Sequence, residues 1–586
     1  MAPSRQQKNT ASSSRAVWII GFTILHPVVH SFVATHRTPR SNTFLQQSSA
    51  FDETCEVLVL GSGPAGRAIA SLLDASDIDV VVADQKYDRS FPPNYGVWHD
   101  EWDTICQVYA DAGVEISGGK EGGAVDRKWA KTDSYFGGSF GIPTDNRMRL
   151  DREYYRVDKD ALKDSFSKGK YRVLQANHIA KAISPNVYEP AGSIVHDSEG
   201  TTMQLQKSDG SQISVRTKIV VDCTGHESSL VLRDPREKSK GPGFQIAYGC
   251  LVDVEQENGI KGQIGPYDVD AMTLFDYRTD HYDDTDEPVQ EKVAKSPTFM
   301  YAMPLEGNTI FFEETSLVAR PGVSFQECKD RCMKRLDHHG IKITKLYEEE
   351  YCYIPMGGAL PAKDQRILAL GGAATMVHPS TGYHICRCLM GASELAKVVS
   401  DRSMWSNLDR VSGKAYNALW SPSNQRQRNF AVFGGEYLMK QNVVGLRGFF
   451  DGFFRLPLPL WAGFLAGWPG LPNNEKHETW LARMWYGLNF VVRLPPAVAV
   501  DMFLSIVSYI ALDNLALAQS VTPFLGEPES FESKLNQDRL GDSAAKSEAR
   551  RMIMESKVKM DLPSDFEQKT SQEAPSTQEE ELTVLQ

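Results

Sequence analysis

Glu313 and Glu314 stand side by side directly after the apolar run Thr309–Phe312. Carboxyls at the end of such a strand are candidates for general-acid work. One that is sunk in an apolar pocket beside a second carboxylate keeps its proton at neutral pH. Successive side chains of a strand point to opposite faces, so at most one of the two is expected to face a pocket, and the sequence leaves open which. Asp276 and Arg278 bracket Tyr277. They are read either as groups of the same site, with Asp276 the next candidate acid, or as a salt bridge at a sheet edge. His378 opens His378-Pro-Ser-Thr-Gly-Tyr383 and is read as a ligand contact or as a structural histidine. The aromatics Tyr95, Trp98 and Trp102 either line an apolar binding tunnel or pack a core. Among nine cysteines there is no CxxC pair. Cys328/Cys332 and Cys386/Cys388 lack partners at zinc spacing, so no metal site and a reducing compartment are expected.

A second chemistry is carried by Gly61-Ser-Gly-Pro-Ala-Gly66, which follows the strand-like Glu56–Leu60 and opens a helix-like stretch to Asp74. Gly61 permits a tight turn, Gly63 lets backbone approach a pyrophosphate, and Gly66 lets the helix pack on the sheet. Pro64 and Ala65 complete the entry to the helix, whose N-terminus favours an anion. Asp84 ends the next apolar strand, 18 residues past Gly66, where a carboxylate bonds a ribose hydroxyl. Strand, turn, helix and acid together predict dinucleotide binding.

The elements that position these groups belong to a chain of 586 residues, 41% hydrophobic and 24% charged, enough for two to four structural regions. A net charge of -12 argues against nucleic acid as a partner. The first acidic residue is Asp52. Arg5, Lys8 and Arg15 precede the apolar Ala16–Val29, which is shorter than the about 20 residues of a membrane span and fits a signal peptide. The acid-free, Ser/Thr-rich stretch that follows has a transit-peptide composition. At the other end, 528–586 is polar and nearly free of aromatics, so it is expected to be disordered and non-catalytic. Between Gly448 and Leu525 apolar runs are broken by prolines and by Arg455, Glu475, Arg493 and Asp501. A spanning helix is not expected there. The region is read as a surface that dips apolar faces into a bilayer, or as a buried helical cap.

Two segments resemble those of FAD enzymes of the glutathione-reductase type. One is Lys218-Ile-Val-Val-Asp-Cys-Thr-Gly225, and the other is Arg366-Ile-Leu-Ala-Leu-Gly-Gly-Ala-Ala374 with His378–Tyr383 after it. The resemblance implies an α/β fold, an FAD-binding Rossmann-type scaffold with an interleaved substrate domain and a helical C-terminal region. It adds Gly371, Gly372 and Gly382 to the cofactor contacts. Many such enzymes carry Gly-Asp where this chain has Gly371-Gly372, which removes one expected contact. Pro93-Asn-Tyr-Gly-Val-Trp-His-Asp-Glu-Trp102, Phe275-Asp-Tyr-Arg278, Pro297–Pro304, Ile354-Pro-Met-Gly-Gly358 and above all Phe311-Phe-Glu-Glu-Thr-Ser-Leu-Val-Ala-Arg-Pro-Gly322 resemble blocks of the plant and algal lycopene cyclase family, in one order from Glu56 to Gly526.

That resemblance implies domains at 52–243 (FAD-binding, first part), 244–355 (substrate), 356–400 (FAD-binding, return), 401–527 (helical, apolar), with 1–51 a presequence and 528–586 a tail. The implied reaction is acid-initiated closure of lycopene or other acyclic carotenoid ends into β-rings without net redox change. Glu313, Glu314 or Asp276 would be the acid. Tyr95, Trp98, Arg278 and His378 would contact substrate. Reduced FAD would stabilise the cation, with NADPH or another electron donor. The chain would be imported into a plastid through a bipartite presequence, similar to those of algae with complex plastids, and contact the membrane peripherally. Related readings are ε-ring closure and epoxy-carotenoid isomerisation. A carotenoid flavin monooxygenase and a non-catalytic carotenoid-binding protein are the rivals from other classes.

Overall fold

Strands buried on both faces must be apolar nearly throughout, and Glu53–Leu60, Val80–Ala83 and the end of Gln212–Asp222 meet that demand. In the computed structural model they form the centre of a parallel sheet in the order Arg172–Leu174, Val80–Ala83, Glu53–Leu60, Gln212–Asp222, Leu368–Ala369. Gly200–Lys207 and Ile194–Asp197 extend it antiparallel. Helices Pro64–Ala75 and Ile385–Val399 pack on one face through one large apolar core. The expected Rossmann-type arrangement is therefore present. The structure describes residues 51–91, 93–140, 146–234, 242–256, 260–512, 515–522, 524–526 and 528. All but Phe51 of the expected presequence, and all but Pro528 of the expected tail, lie outside them.

A second sheet of seven strands carries the acidic segment. Its order is Ile341–Met356, Gly243–Gln256, Thr309–Ser316, Thr298–Pro304, Met272–Asp276, Thr132–Tyr135, Arg147–Leu150. The last two strands come from chain before residue 152, so the stretch 52–243 feeds both sheets. A three-stranded sheet of Tyr95–Trp98, Tyr154–Val157 and Val125–Trp129 links them.

The back face of the seven-stranded sheet is covered by helix Phe325–His338. Alternation turns Asp276 and Glu314 to this face, and both are almost fully buried. Arg335 donates from Nε to Glu314 at 3.0 Å and from Nη1 to the Arg278 carbonyl at 3.1 Å. Arg278 forms a two-pronged pair with Asp276, at 2.8 and 2.7 Å. Thr298 donates its hydroxyl to Glu314 at 2.5 Å. Two acids and two guanidinium groups thus neutralise one another in the interior. That is the condition under which buried charge is tolerated.

Helices from Leu408 onward close the front of the sheet with an aromatic core that includes Phe449, Phe450, Phe453 and Phe454. Two later helices keep one side uncovered. Leu481, Met484, Trp485, Leu488 and Val492 run down Trp480–Val491 and its C-cap, and Val500, Phe503, Leu504, Val507 and Ile510 down Pro496–Leu512, all exposed. Their spacing of three and four residues makes each a single stripe. Among the described residues no helix is long and apolar enough to cross a membrane.

Removing one partner of a buried ion pair leaves the other uncompensated, at about 3–5 kcal/mol. Arg335→Met should therefore lower unfolding free energy by about that amount in denaturant melts. A variant as stable as the parent would contradict the neutralising role of Arg335.

Candidate active site

The carboxyl ends of the parallel strands open onto a cavity of about 940 Å³, as expected for ligands of open α/β sheets. Gly61 turns out of the first strand with φ +90°, a conformation that a side chain strains. A Cβ built on Gly66 would lie 1.9 Å from the Gly61 carbonyl oxygen, so the helix can sit this close only without one. A Cβ on Gly63 would meet nothing within 4 Å, which leaves open space in front of the turn. Gly63 is also the N-cap of Pro64–Ala75 and no side chain caps it, so the helix N-terminus is free for an anion. Asp84 lines the same end. Its carboxylate is fixed by the Ser62 N–H at 2.8 Å, the Ser62 hydroxyl at 2.7 Å and the Lys86 N–H at 2.8 Å.

The cavity continues past Pro64 and Ala65 to Gly372, Thr381, Gly382, Tyr383 and His384, at the entry to helix Ile385–Val399. Thr381 Oγ1 and His384 Nε2 are buried there without a hydrogen-bond partner among the described residues. Burial, reinforced by Arg387, pushes His384 down to about 4, so its imidazole is neutral. An open turn, an uncapped helix N-terminus, a strand-end acid and two orphaned polar atoms fit a dinucleotide whose far end offers hydrogen-bonding groups. Gly371 does not line the cavity. It packs the loop on the first helix, a Cβ there falling 2.9 Å from that of Ala65.

Beyond this end the cavity meets the front face of the seven-stranded sheet, where Phe275, Phe299 and Leu274 supply an apolar wall. Glu313 enters from the central strand. Burial first, and the carboxyl of Glu350 second, push Glu313 up to about 8. Glu350 lies in register with Gly249, which is in register with Glu313 on its other side. Asn94 holds Glu350 Oε2 through its N–H at 3.0 Å and its amide nitrogen at 2.6 Å. Tyr301, paired across the next strand from Glu313, donates to Tyr154 at 3.1 Å, and Tyr154 stands 3.4 Å from Tyr383. A chain of hydroxyls thus runs from Tyr301, beside Glu313, to Tyr383 at the entry to helix Ile385–Val399.

Of the expected site residues, Glu313, Tyr95, Asp84 and most of the glycines meet in one cavity. Glu314, Asp276 and Arg278 do not. They form the neutral network on the back face, because each sits one position out of phase with the residues that face the front. Trp98 is fully buried, edge-on to Tyr154 and Trp461 and under Arg152, and so packs the core. His378 is wedged against Phe464 and accepts from the Ser380 N–H at 3.3 Å. Burial and Arg387 hold it well below the ordinary histidine range. It is a structural histidine, not a contact of the cavity. Glu350, Asn94, Gly249 and the three tyrosines are site residues that the sequence reading missed. The period-2 pattern of Thr298–Pro304 points Tyr301 forward with Phe299, but Glu350 is legible only from the pairing of strands far apart in the chain.

The profile of the lycopene cyclase protein family matches residues 56–477. A lycopene beta cyclase, chloroplastic, from Nicotiana tabacum is 35% identical over 423 residues, 71% of this chain and 75% of that one. A capsanthin/capsorubin synthase, chromoplastic, from Citrus sinensis is 34% identical over 417 residues, 70% and 74% of the two chains. Among solved structures, a geranylgeranyl bacteriochlorophyll reductase-like protein from Thermoplasma acidophilum shares the fold at a TM-score of 0.50 and 13% identity, covering 77% of this chain and 99% of its own.

Proposed function

Because the chain belongs to the lycopene cyclase protein family, we propose that it is a plastid lycopene β-cyclase, an enzyme that closes the acyclic ends of lycopene into β-rings while holding FAD. The observation that carries the reading is the placement of Glu313. It is a proton-bearing carboxyl against an apolar wall, at the far end of a cavity whose near end fits a dinucleotide.

A hydrocarbon end has no polar handle, so ring closure needs a strong acid in an apolar site. Glu313 delivers its proton to the terminal double bond. The next double bond attacks the resulting cation and forms the ring bond. A ring proton then leaves to the carboxylate, so substrate and product are isomers. Gly61–Gly66 and the helix N-terminus would hold the pyrophosphate, Asp84 the ribose, and Gly372, Thr381, Gly382 and His384 the ring end. Bound in its reduced form, FAD supplies electron density that stabilises the cation, with NADPH or another donor as reductant. Phe275 and Phe299 exclude water that would otherwise capture the cation. The exposed stripes of Trp480–Val491 and Pro496–Leu512 support peripheral contact with the membrane in which carotenes dissolve. The plastid address rests on the chloroplastic and chromoplastic names of the relatives. The capsanthin/capsorubin synthase relative, nearly as similar as the cyclase, keeps a second reading in view, in which the same acid rearranges epoxidised carotenoid ends.

The flavin arrangement is tested by Gly63→Val, which fills the space in front of the turn. Its purified protein should lose the flavin absorbance that the parent shows, and full flavin content would refute the assignment. The acid is tested in lycopene-accumulating bacteria by pigment chromatography, and in reduced holoenzyme by rate against pH. Glu313→Gln should lower β-ring formation at least ~100-fold with flavin retained, whereas Glu314→Gln should retain the acid. Glu313 carries its proton below about 8 and loses it above, so the parent's rate should fall as pH rises through that value. Near-parental rates from Glu313→Gln would place the acid elsewhere. Conversion of epoxy-carotenoids but not lycopene would favour the second reading.

A further inference from the structure

Glu313 has no hydrogen-bond partner among the described residues, whereas Glu350, which lines the same cavity, has several. Its Oε2 accepts both Asn94 donors, at 3.0 and 2.6 Å, and its Oε1 accepts from the Cys352 thiol at 2.7 Å. Between the two carboxyls stands Gly249, in register with both. Their backbones are two strand spacings apart, about 10 Å, and both side chains line the same cavity. A Cβ on Gly249 would lie 2.6 Å from Phe311 Cζ and 3.5 Å from Glu350 Cβ. The glycine is required here because the Phe311 ring lies over it, and not for conformation.

We infer that Glu350 is a positioning residue for the acid: it stays ionised and, through its charge in the same cavity, holds the reacting proton on Glu313, so that the pair carries one proton. The inference rests on the acid role of Glu313 proposed above. Two carboxyls lining one apolar cavity resist ionising together while no cation is present, and the one with hydrogen-bond donors takes the charge. Asn94 and Cys352 supply those donors to Glu350 alone. The other groups facing the pair leave this assignment in place. Tyr301 and Tyr95 are phenols held far above neutral pH by burial. Cys352 is likewise raised, by burial and then by Glu350. Burial raises Glu350 from the ordinary carboxylate range, and Cys352, Asn94 and Lys159, the last itself paired with Glu348, act against that rise. From the back face, Cys328 is a neutral thiol. The proton balance closes within the pair. Glu313 gives its proton to the alkene, the ring bond forms, and the proton lost from the ring restores Glu313 while Glu350 remains a carboxylate throughout. During the step two negative charges face the cation.

The test uses reduced, flavin-loaded enzyme and two readouts, rate against pH and the infrared carbonyl band of a protonated carboxyl that disappears in Glu313→Gln. In Glu350→Gln the band should be lost at lower pH than in the parent. The ratio of kcat at pH 6 to kcat at pH 8.5 should change from the parent's by at least ~3-fold, in the direction of lost alkaline activity. Glu350→Asp, which keeps the charge, should stay close to the parent, and a change in it as large as in Glu350→Gln would overturn the proposal. Asn94→Leu should slow the enzyme at neutral pH by letting Glu350 compete for the proton, and should add nothing on top of Glu350→Gln. An unchanged band and pH profile in a flavin-loaded Glu350→Gln protein would overturn the inference while leaving the acid role of Glu313 intact. If the parent makes no rings from lycopene yet the band behaves as described, the functional reading fails and the pairing stands.

Discussion

Everything in the site depends on one constraint: neighbouring side chains of the strand Thr309–Ser316 must point to opposite faces. The strand lies inside a seven-stranded sheet, so the two adjacent glutamates meet different company: Glu314 is buried and Glu313 is half-buried at the cavity wall. On the back face Glu314 meets Arg335 and the Asp276–Arg278 pair, and its charge is balanced. On the front face Glu313 meets phenylalanines, phenols and another carboxyl, and nothing balances it. The same residue type is a structural anion on one side and, in the function proposed above, the proton donor on the other. A one-residue slip of register would exchange the two roles and destroy both.

The two sheets answer different requirements. The parallel sheet offers strand ends, a glycine turn and a helix N-terminus, which together favour a phosphate-bearing ligand. The largely antiparallel sheet offers a broad face whose residues are chosen at every second position, which suits an apolar wall with one acid set in it. The three tyrosines Tyr301, Tyr154 and Tyr383 bridge the sheets, so the acid and the cofactor end are held in one frame. The front wall is closed by the helices after Leu408, and the uncovered stripes of the last of them turn apolar side chains outward.

Local chemistry was legible in the sequence, and pairing between distant strands was not. The turn Gly61–Gly66, its flanking strand and helix, and Asp84 lie within about thirty residues, and spacing alone determines their arrangement. That only one of Glu313 and Glu314 can face a pocket also follows from local alternation. Which one does so depends on whether Phe275 or Asp276, two strands away across Thr298–Pro304, shares its face, and that is a matter of register. For Asp276 and Arg278 the sequence left site groups and a salt bridge equally open, and their phase makes them the salt bridge, under helix Phe325–His338. Glu350 sits in an acidic run, Glu348–Glu350, that resembles solvated surface. Its meaning comes from Asn94 and Gly249, 256 and 101 residues away in the chain. His378 was equally ambiguous, because a histidine beside a glycine loop is indistinguishable from a ligand contact until Phe464 and Arg387 are seen against it.

The central claim is that a solvent-exchangeable carboxyl proton on Glu313 starts a ring closure without net redox change. It is tested most directly by supplying lycopene to the reduced holoenzyme in D₂O and weighing and mapping the product. The account predicts one deuterium per ring, at the carbon of the former terminal double bond that receives the proton. It predicts no gain of oxygen, and loss of the labelled product in Glu313→Gln. Rings formed without deuterium, a product carrying oxygen, or undiminished labelling in Glu313→Gln would contradict it.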